Sequence, residues 1–155
     1  MQFNDLLLPE AVKVASSVSS KKRLLHGLAD LAEGVFGLDG TSAFEALVAR
    51  ESLGTTGVGH GVALPHARID GLDKVVGAFM LLESPVDFDA VDRQPVDLAF
   101  GLFAPQEAGV EHLKALALVS RTLRQGSLCT KLRANIGNAQ TIFTILTEDE
   151  EVRAA

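Results

Sequence analysis

Gly54-Thr55-Thr56-Gly57-Val58-Gly59-His60-Gly61-Val62-Ala63-Leu64-Pro65-His66-Ala67-Arg68 is the stretch from which the rest of the chain can be read. Its four glycines permit backbone conformations and close approaches that side chains block. A short apolar step, Val62-Ala63-Leu64, then leads to Pro65, which fixes its own φ and pushes Leu64 toward an extended conformation. His66 is therefore presented stiffly, from a strand end. A glycine loop folded back on such a ring can bring N–H donors and the hydroxyls of Thr55 or Thr56 near it, a setting that suits an anion. The better-known glycine loops do not match. A P-loop needs Lys-Ser/Thr after its last glycine, and a dinucleotide fingerprint needs Gly-x-Gly-x-x-Gly after a strand. Here Gly57-x-Gly59-x-Gly61 follows an apparent helix.

Working outward, residues 41–53 form the preceding helix candidate, with Ser42 and Glu45 at capping-box spacing and Phe44, Leu47 and Val48 as its apolar face. Arg50 lies about 110° from the centre of that face. Composition makes it a surface arginine, but its place in the last turn before the glycine loop singles it out. Earlier, Leu24, Leu28, Leu31 and Val35 mark a helix capped by Ser19 or Ser20 and stopped at Gly37, with His26 off the stripe and solvated.

After His66 come two strands, over Val75–Leu82 and Val96–Ala104. Their apolar residues run continuously instead of alternating, which requires burial on both faces and so a sheet covered by helices. Ser84-Pro85 and Asp92-Arg93-Gln94-Pro95 read as turns, with Val86-Asp87-Phe88 a short strand between them. A third helix over 109–125 has Leu113, Leu116, Ala117, Ser120 and Leu123 inside, with Gly126 ending it and His112 in its first turn. Two more helices, 127–134 and 138–147, close the chain, the second capped by Asn138. Ile142–Leu146 also suits a strand by composition. The tail from Glu148 is acidic and expected to fray.

The chain has 155 residues, 47% of them apolar, eight Phe, no Trp or Tyr, and a net charge of −6. One domain over 1–155 with a mainly aliphatic core follows from that length. Without a basic stripe, nucleic acid is not expected as a partner. No apolar run approaches the roughly 20 residues that span a bilayer, and no basic segment precedes Leu6-Leu7-Leu8 as a secretion signal does. Cys129 is the sole cysteine, which fits a reducing cytoplasm; it sits in an apparent helix beside Leu128 and Leu132, as a packed thiol would.

Three chemistries remain open for the histidines. His60, His66 and His112 lack the tight spacing of a zinc site, and no Gly-x-Ser-x-Gly elbow is present, so neither a metal nor a serine nucleophile is expected. His66 could act in general acid–base catalysis, could itself take up a phosphoryl group as a neutral imidazole nucleophile, or could be only a turn histidine.

The segment Gly54 to His66, followed by Phe88-Asp89-Ala90-Val91-Asp92-Arg93-Gln94-Pro95-Val96-Asp97, then Phe103-Ala104-Pro105, then His112-Leu113, resembles the fructose/mannitol-type enzyme IIA domains of the bacterial phosphoenolpyruvate phosphotransferase system. A free-standing chain of this length is most similar to the nitrogen-related, regulatory branch. The resemblance implies an α/β fold with a mixed central sheet flanked by helices on both sides. It implies that His66 accepts phosphate, that Arg50 sits near it, that His112 is the second histidine of the site, and that Thr55, Thr56, Gly57, Gly59 and Gly61 shape the phosphate loop. No cofactor is implied. The implied donor is an HPr- or NPr-like phosphocarrier, and the implied targets are systems such as potassium transport or sensor kinases. A sugar-specific component passing phosphate to a separate IIB protein and an unphosphorylated binding module stand as alternatives. Two departures are His60, where nitrogen-type members often have Asn, and Ala67, where many have Gly, so that no positive φ is needed there.

Overall fold

The computed structural model describes residues 1–148; the rest of the acidic tail lies outside the described residues. Six strands, Val12–Ala15 (β1), Gly57–Gly59 (β2), Val62–Ala63 (β3), His66–Ile69 (β4), Val76–Val86 (β5) and Val96–Pro105 (β6), make one sheet. Its order is β1-β5-β6-β3-β2, with β4 also paired to β6. The sheet is mixed: β1 runs parallel to β5, β3 and β4 run parallel to β6, and β5/β6 and β2/β3 are antiparallel.

The continuous apolar runs of β5 and β6 serve two cores at once. Phe79, Leu81, Leu98, Phe100 and Leu102 face one side, where Val110–Leu123 (α3), Gly126–Ala134 (α4) and Ala139–Thr147 (α5) pack. Ala78, Met80, Leu82, Ala99 and Phe103 face the other, against Lys21–Phe36 (α1) and Gly40–Glu51 (α2). Side chains alternate faces along a strand, so burial on both faces leaves no polar positions to alternate with.

Local signals hold in several places. Ser20 caps α1, its hydroxyl accepting from the Arg23 N–H at 3.1 Å, and Gly37 closes it at φ +75°. Asn138 caps α5 through the Thr141 N–H, and Ile142–Leu146 is helical. His26 is exposed, paired with Asp30 at 3.1 Å, and Cys129 is buried.

Other expectations are corrected. Asp39, not Ser42, caps α2: its carboxylate accepts from the Thr41 N–H at 3.1 Å and from the Ser42 hydroxyl at 2.9 Å. A charged cap complements the helix N-terminus better than a hydroxyl one turn later. In α1 the fully buried positions are Leu24, Leu25, Leu28, Ala29 and Ala32, with Leu31 and Val35 only partly covered. The inner face of α3 is His112, Ala115, Val119, Thr122 and Leu123, while Leu113 is 67% exposed. Small residues bring that helix close to β6, and a stripe drawn through its largest apolar residues is rotated off the core. Gly126 does not end α3 but opens α4. Ser84-Pro85 lies within β5, where the register with β6 shifts between Leu81 and Val86. A proline fits there because ladder pairing is interrupted. Phe88 is buried but outside any strand. The edge strand β1 went unread because four residues flanked by turns give too little pattern.

One interruption sets up the site. β3 and β4 lie end to end along the same side of β6, Val62 opposite Leu98 and His66 opposite Leu102. Between them Pro65 has no N–H to donate, although its carbonyl accepts from the Leu102 N–H at 2.9 Å. The ladder breaks for two residues, and His66 begins the second segment.

Candidate active site

His66 is held at both ring nitrogens. Nδ1 lies 2.9 Å from the Leu64 carbonyl oxygen, which can only accept, so Nδ1 carries the proton. Nε2 therefore keeps its lone pair, and the Nε–H of Arg50 donates to it at 3.3 Å. Arg50 comes from the last turn of α2, and its Nη1 donates to the Gly54 carbonyl at 2.9 Å. The guanidinium thus bridges the start of the glycine loop and the free nitrogen of His66.

His112 arrives from the first turn of α3, its ring centroid 5.7 Å from that of His66 at an interplanar angle of 73°. Only 6% exposed, it belongs to the inner face of its helix and not to a solvated end. Its Nε2 is buried and has no hydrogen-bond partner among the described residues. Burial pushes the His112 pKa below its ordinary 6.5, and its electrostatic interactions with His66 and Arg68 add to the effect. The ring is neutral at pH 7 and has one unused polar atom.

Arg50, His66 and His112 share a pocket of about 480 Å³ with Ala46, Ala49, Leu53, Ala67 and Arg68. Two arginines and two histidines line it, with no carboxylate, in a chain of net charge −6. Such a lining suits an anion by charge alone. Larger hollows exist, about 530 Å³ between the β2–β3 hairpin and α3/α4 and about 650 Å³ near the N-terminus, but neither contains the histidine pair. Chemistry, not volume, selects the smaller one. Among the described residues no group of three or more His, Cys, Asp or Glu is placed to hold a metal ion, and no helix is long and apolar enough to cross a membrane.

The glycine-loop residues stand outside this pocket. The Thr55 hydroxyl donates to the Phe88 carbonyl at 3.3 Å and accepts from the Gly57 N–H at 3.1 Å. Thr56 is buried and bonded to Glu51 through both its N–H and its hydroxyl. Gly57 sits where a Cβ would come 2.8 Å from the Ala90 Cβ, and Gly61, at φ +80°, packs against Arg133 and Asp97. These residues build the hairpin that presents His66 and do not touch its ring. His60 tops the hairpin at φ +57°, its N–H donating to Asp92 at 2.9 Å and its carbonyl accepting from Arg133 at 2.9 Å. His, like Asn, tolerates that left-handed backbone better than most residues. The His60 N–H is also the main reason the Asp92 carboxyl is held below its ordinary range. Ala67 has no positive φ and is buried in β4.

Three participants escaped the sequence reading. Arg68 lines the pocket two residues after His66, on the same face of β4, and strand alternation could have found it. The Leu64 carbonyl and the buried Glu51 carry no sequence signal, since nothing local tells that their partners are His66 and Thr56.

Comparison with known proteins adds an independent line. Residues 5–149 match the family described as the phosphoenolpyruvate-dependent sugar phosphotransferase system, EIIA 2. The chain is 47% identical over 146 residues to a nitrogen regulatory protein of Bradyrhizobium diazoefficiens, covering 94% of this chain and 95% of that one. It is 34% identical to the fructose-specific EIIA component of Haloferax volcanii, covering 90% of each. The crystal structure of the nitrogen regulatory protein IIA-Ntr from Neisseria meningitidis superposes with a TM-score of 0.83 at 39% identity, covering 93% of this chain and 97% of that one.

Proposed function

The chain belongs to the EIIA 2 family of the phosphoenolpyruvate-dependent sugar phosphotransferase system, and from that premise we propose that it carries a phosphoryl group on Nε2 of His66, as a single domain over 1–155 working in the cytoplasm. The observation that carries this reading is the state of the ring. Nδ1 is tied down as a donor to Leu64, and Nε2 is left as a nucleophile facing a guanidinium.

The donor is a phosphohistidine on an HPr- or NPr-like carrier. The Nε2 lone pair attacks phosphorus; the N–P bond of the donor breaks, and its electron pair returns to the donor ring. One phosphohistidine replaces another, so transfer runs in both directions. The Arg50 contact to Nε2, at 3.3 Å, is long enough to be given up as the N–P bond forms. Its donors then face the phosphoryl oxygens. His112 supplies its unpartnered Nε2 to the same group, as a donor once that nitrogen carries the ring proton, and Arg68 adds charge from β4. Preorganised donors of this kind stabilise developing charge without reorganising.

Similarity to nitrogen regulatory proteins along nearly the whole chain favours a regulatory role over sugar transport. Phosphorylation then switches affinity for targets such as potassium transport or sensor-kinase proteins, by adding charge of about −2 to the face around His66. The fructose-specific relative keeps a second reading in view, in which phosphate passes to a separate IIB protein.

Intact mass after incubation with phosphoenolpyruvate, enzyme I and the carrier tests the chemistry. One phosphoryl group is expected, absent in His66→Ala, labile in acid and stable in alkali; alkali-labile label points instead to a hydroxyl ester and ends the assignment. Label lost to unphosphorylated carrier but not to fructose- or mannitol-type IIB proteins with sugar supports the regulator. Fast sugar-dependent loss favours the transporter.

A further inference from the structure

Glu51 is a buried acid that the phosphoryl chemistry leaves unused. Its side chain is 6% exposed, and both carboxylate oxygens are engaged. Oε1 meets the Lys21 ammonium at 2.9 Å and accepts from the Thr56 N–H at 3.0 Å, while Oε2 accepts from the Thr56 hydroxyl. Lys21 also sits 4.5 Å above the Phe88 ring, which fixes the far end of the group. Replacing a buried ion pair with apolar residues often leaves stability unchanged, so stability alone is a weak reason to bury one beside this loop.

The hydrogen bonds continue toward the active site. Thr56, gripped by Glu51, accepts at its carbonyl from the Leu64 N–H at 3.0 Å. Leu64 in turn accepts at its own carbonyl from His66 Nδ1–H at 2.9 Å. The residue before Glu51 is Arg50, which reaches His66 Nε2 directly. Both ring nitrogens are thus referred to neighbouring residues in one helical turn, Nε2 through Arg50 and Nδ1 through Glu51, Thr56 and Leu64.

We propose that Glu51 is a positioning residue for the acceptor histidine. By clamping Thr56 it places the Leu64 carbonyl, and that carbonyl selects the Nδ1–H tautomer in which Nε2 is free to attack. The coupling is geometric: the contacts along it belong to different peptide units, so what is transmitted is position. Lys21 neutralises the carboxylate and anchors the clamp to α1. This rests on the reading of His66 as the phosphoryl acceptor, and its decisive test does not need phosphate.

The test is 15N NMR of the imidazole nitrogens in resting protein at a pH where His66 is neutral, for wild type, Glu51→Gln and Thr56→Val. Gln keeps the volume and one acceptor oxygen but loses the charge and half the clamp. Wild type shows His66 protonated at Nδ1; in Glu51→Gln the two nitrogens shift toward a mixture of tautomers. Transfer at saturating carrier falls roughly tenfold while the carrier KM stays within about twofold, as misplacement of a reacting group predicts. Glu51→Gln/Thr56→Val is no slower than the slower single variant, because the two residues act through one contact. A folded Glu51→Gln with the wild-type tautomer and wild-type kcat overturns the proposal. Should that variant not fold, Thr56→Val decides by the same two measurements, with Thr56→Ser expected to restore both. If wild-type protein takes up no phosphate at all, the carrier reading fails on its own, and the tautomer comparison still judges Glu51.

Discussion

Replacing Arg50 isolates the largest electrostatic contribution expected at His66. Arg50→Ala removes a cation whose Nε lies 3.3 Å from Nε2 of His66, the nitrogen proposed to take the phosphoryl group. Unit charges about 4 Å apart interact by about 1 kcal/mol in water and about 4 kcal/mol at the effective dielectric of a protein surface. The side chain is half-buried, which puts the site between those limits. The expected loss is about 2.7 kcal/mol, or roughly 100-fold in transfer rate, within the range for deleting one preorganised donor. Arg50→Lys keeps the charge and loses the fork, so a loss of about tenfold is expected. Stability changes little by comparison. The 2.9 Å bond to the Gly54 carbonyl and the longer contact to His66 Nε2 are given up, about 1 kcal/mol and about 3 °C in Tm. The assay is rapid-quench transfer from phosphorylated carrier, with phosphohistidine read by intact mass and kcat separated from KM by varying the carrier. Arg50→Ala transferring within about threefold of wild type refutes the placement of that charge at the transition state.

Two further perturbations test the surrounding structure. The folded-state pKa of His112 is depressed by burial, so as pH falls below 6.5 the unfolded chain takes up a proton before the folded protein does. That share of stability is present above 6.5 and lost as pH falls through the lowered value; denaturant midpoints at pH 8 and pH 5 should draw together in His112→Asn, and parallel shifts in both proteins count against the assignment. Gly57→Ala drives a Cβ to 2.8 Å from the Ala90 Cβ and 2.9 Å from its Cα, an overpacking expected to cost about 1–3 kcal/mol and lower Tm by about 3–10 °C; an unchanged melting curve means the hairpin and the Ala90 loop are not in tight contact.

Much of this was legible in the chain as text. Continuous apolar runs over 75–82 and 96–104 required a covered sheet, and the two cores on its faces are the physical form of that requirement. Caps at Ser20 and Asn138 were readable because capping acts within three residues. Where reading failed, the deciding contact was distant or the pattern short: the α3 stripe depended on how closely β6 approaches, and β1 exists as a strand through pairing with β5, some 65 residues on.

The candidate site divides along the same line. Sequence by itself determined the stiff step through Pro65 to His66 and the position of Arg50 in the helix turn before the glycine loop, since both follow from backbone chemistry within a few residues. Only the tertiary structure decided which side chains meet. Arg50 and His66 are 16 residues apart, and His112 comes from a helix on the opposite face of the sheet. The threonines, local to the loop and chemically suited to an anion, turned inward to Glu51 and Phe88, because buried donors and acceptors take the partners that packing brings to them. The tautomer of His66, on which the proposed chemistry depends, is set by a carbonyl that every residue possesses and no letter of the sequence records.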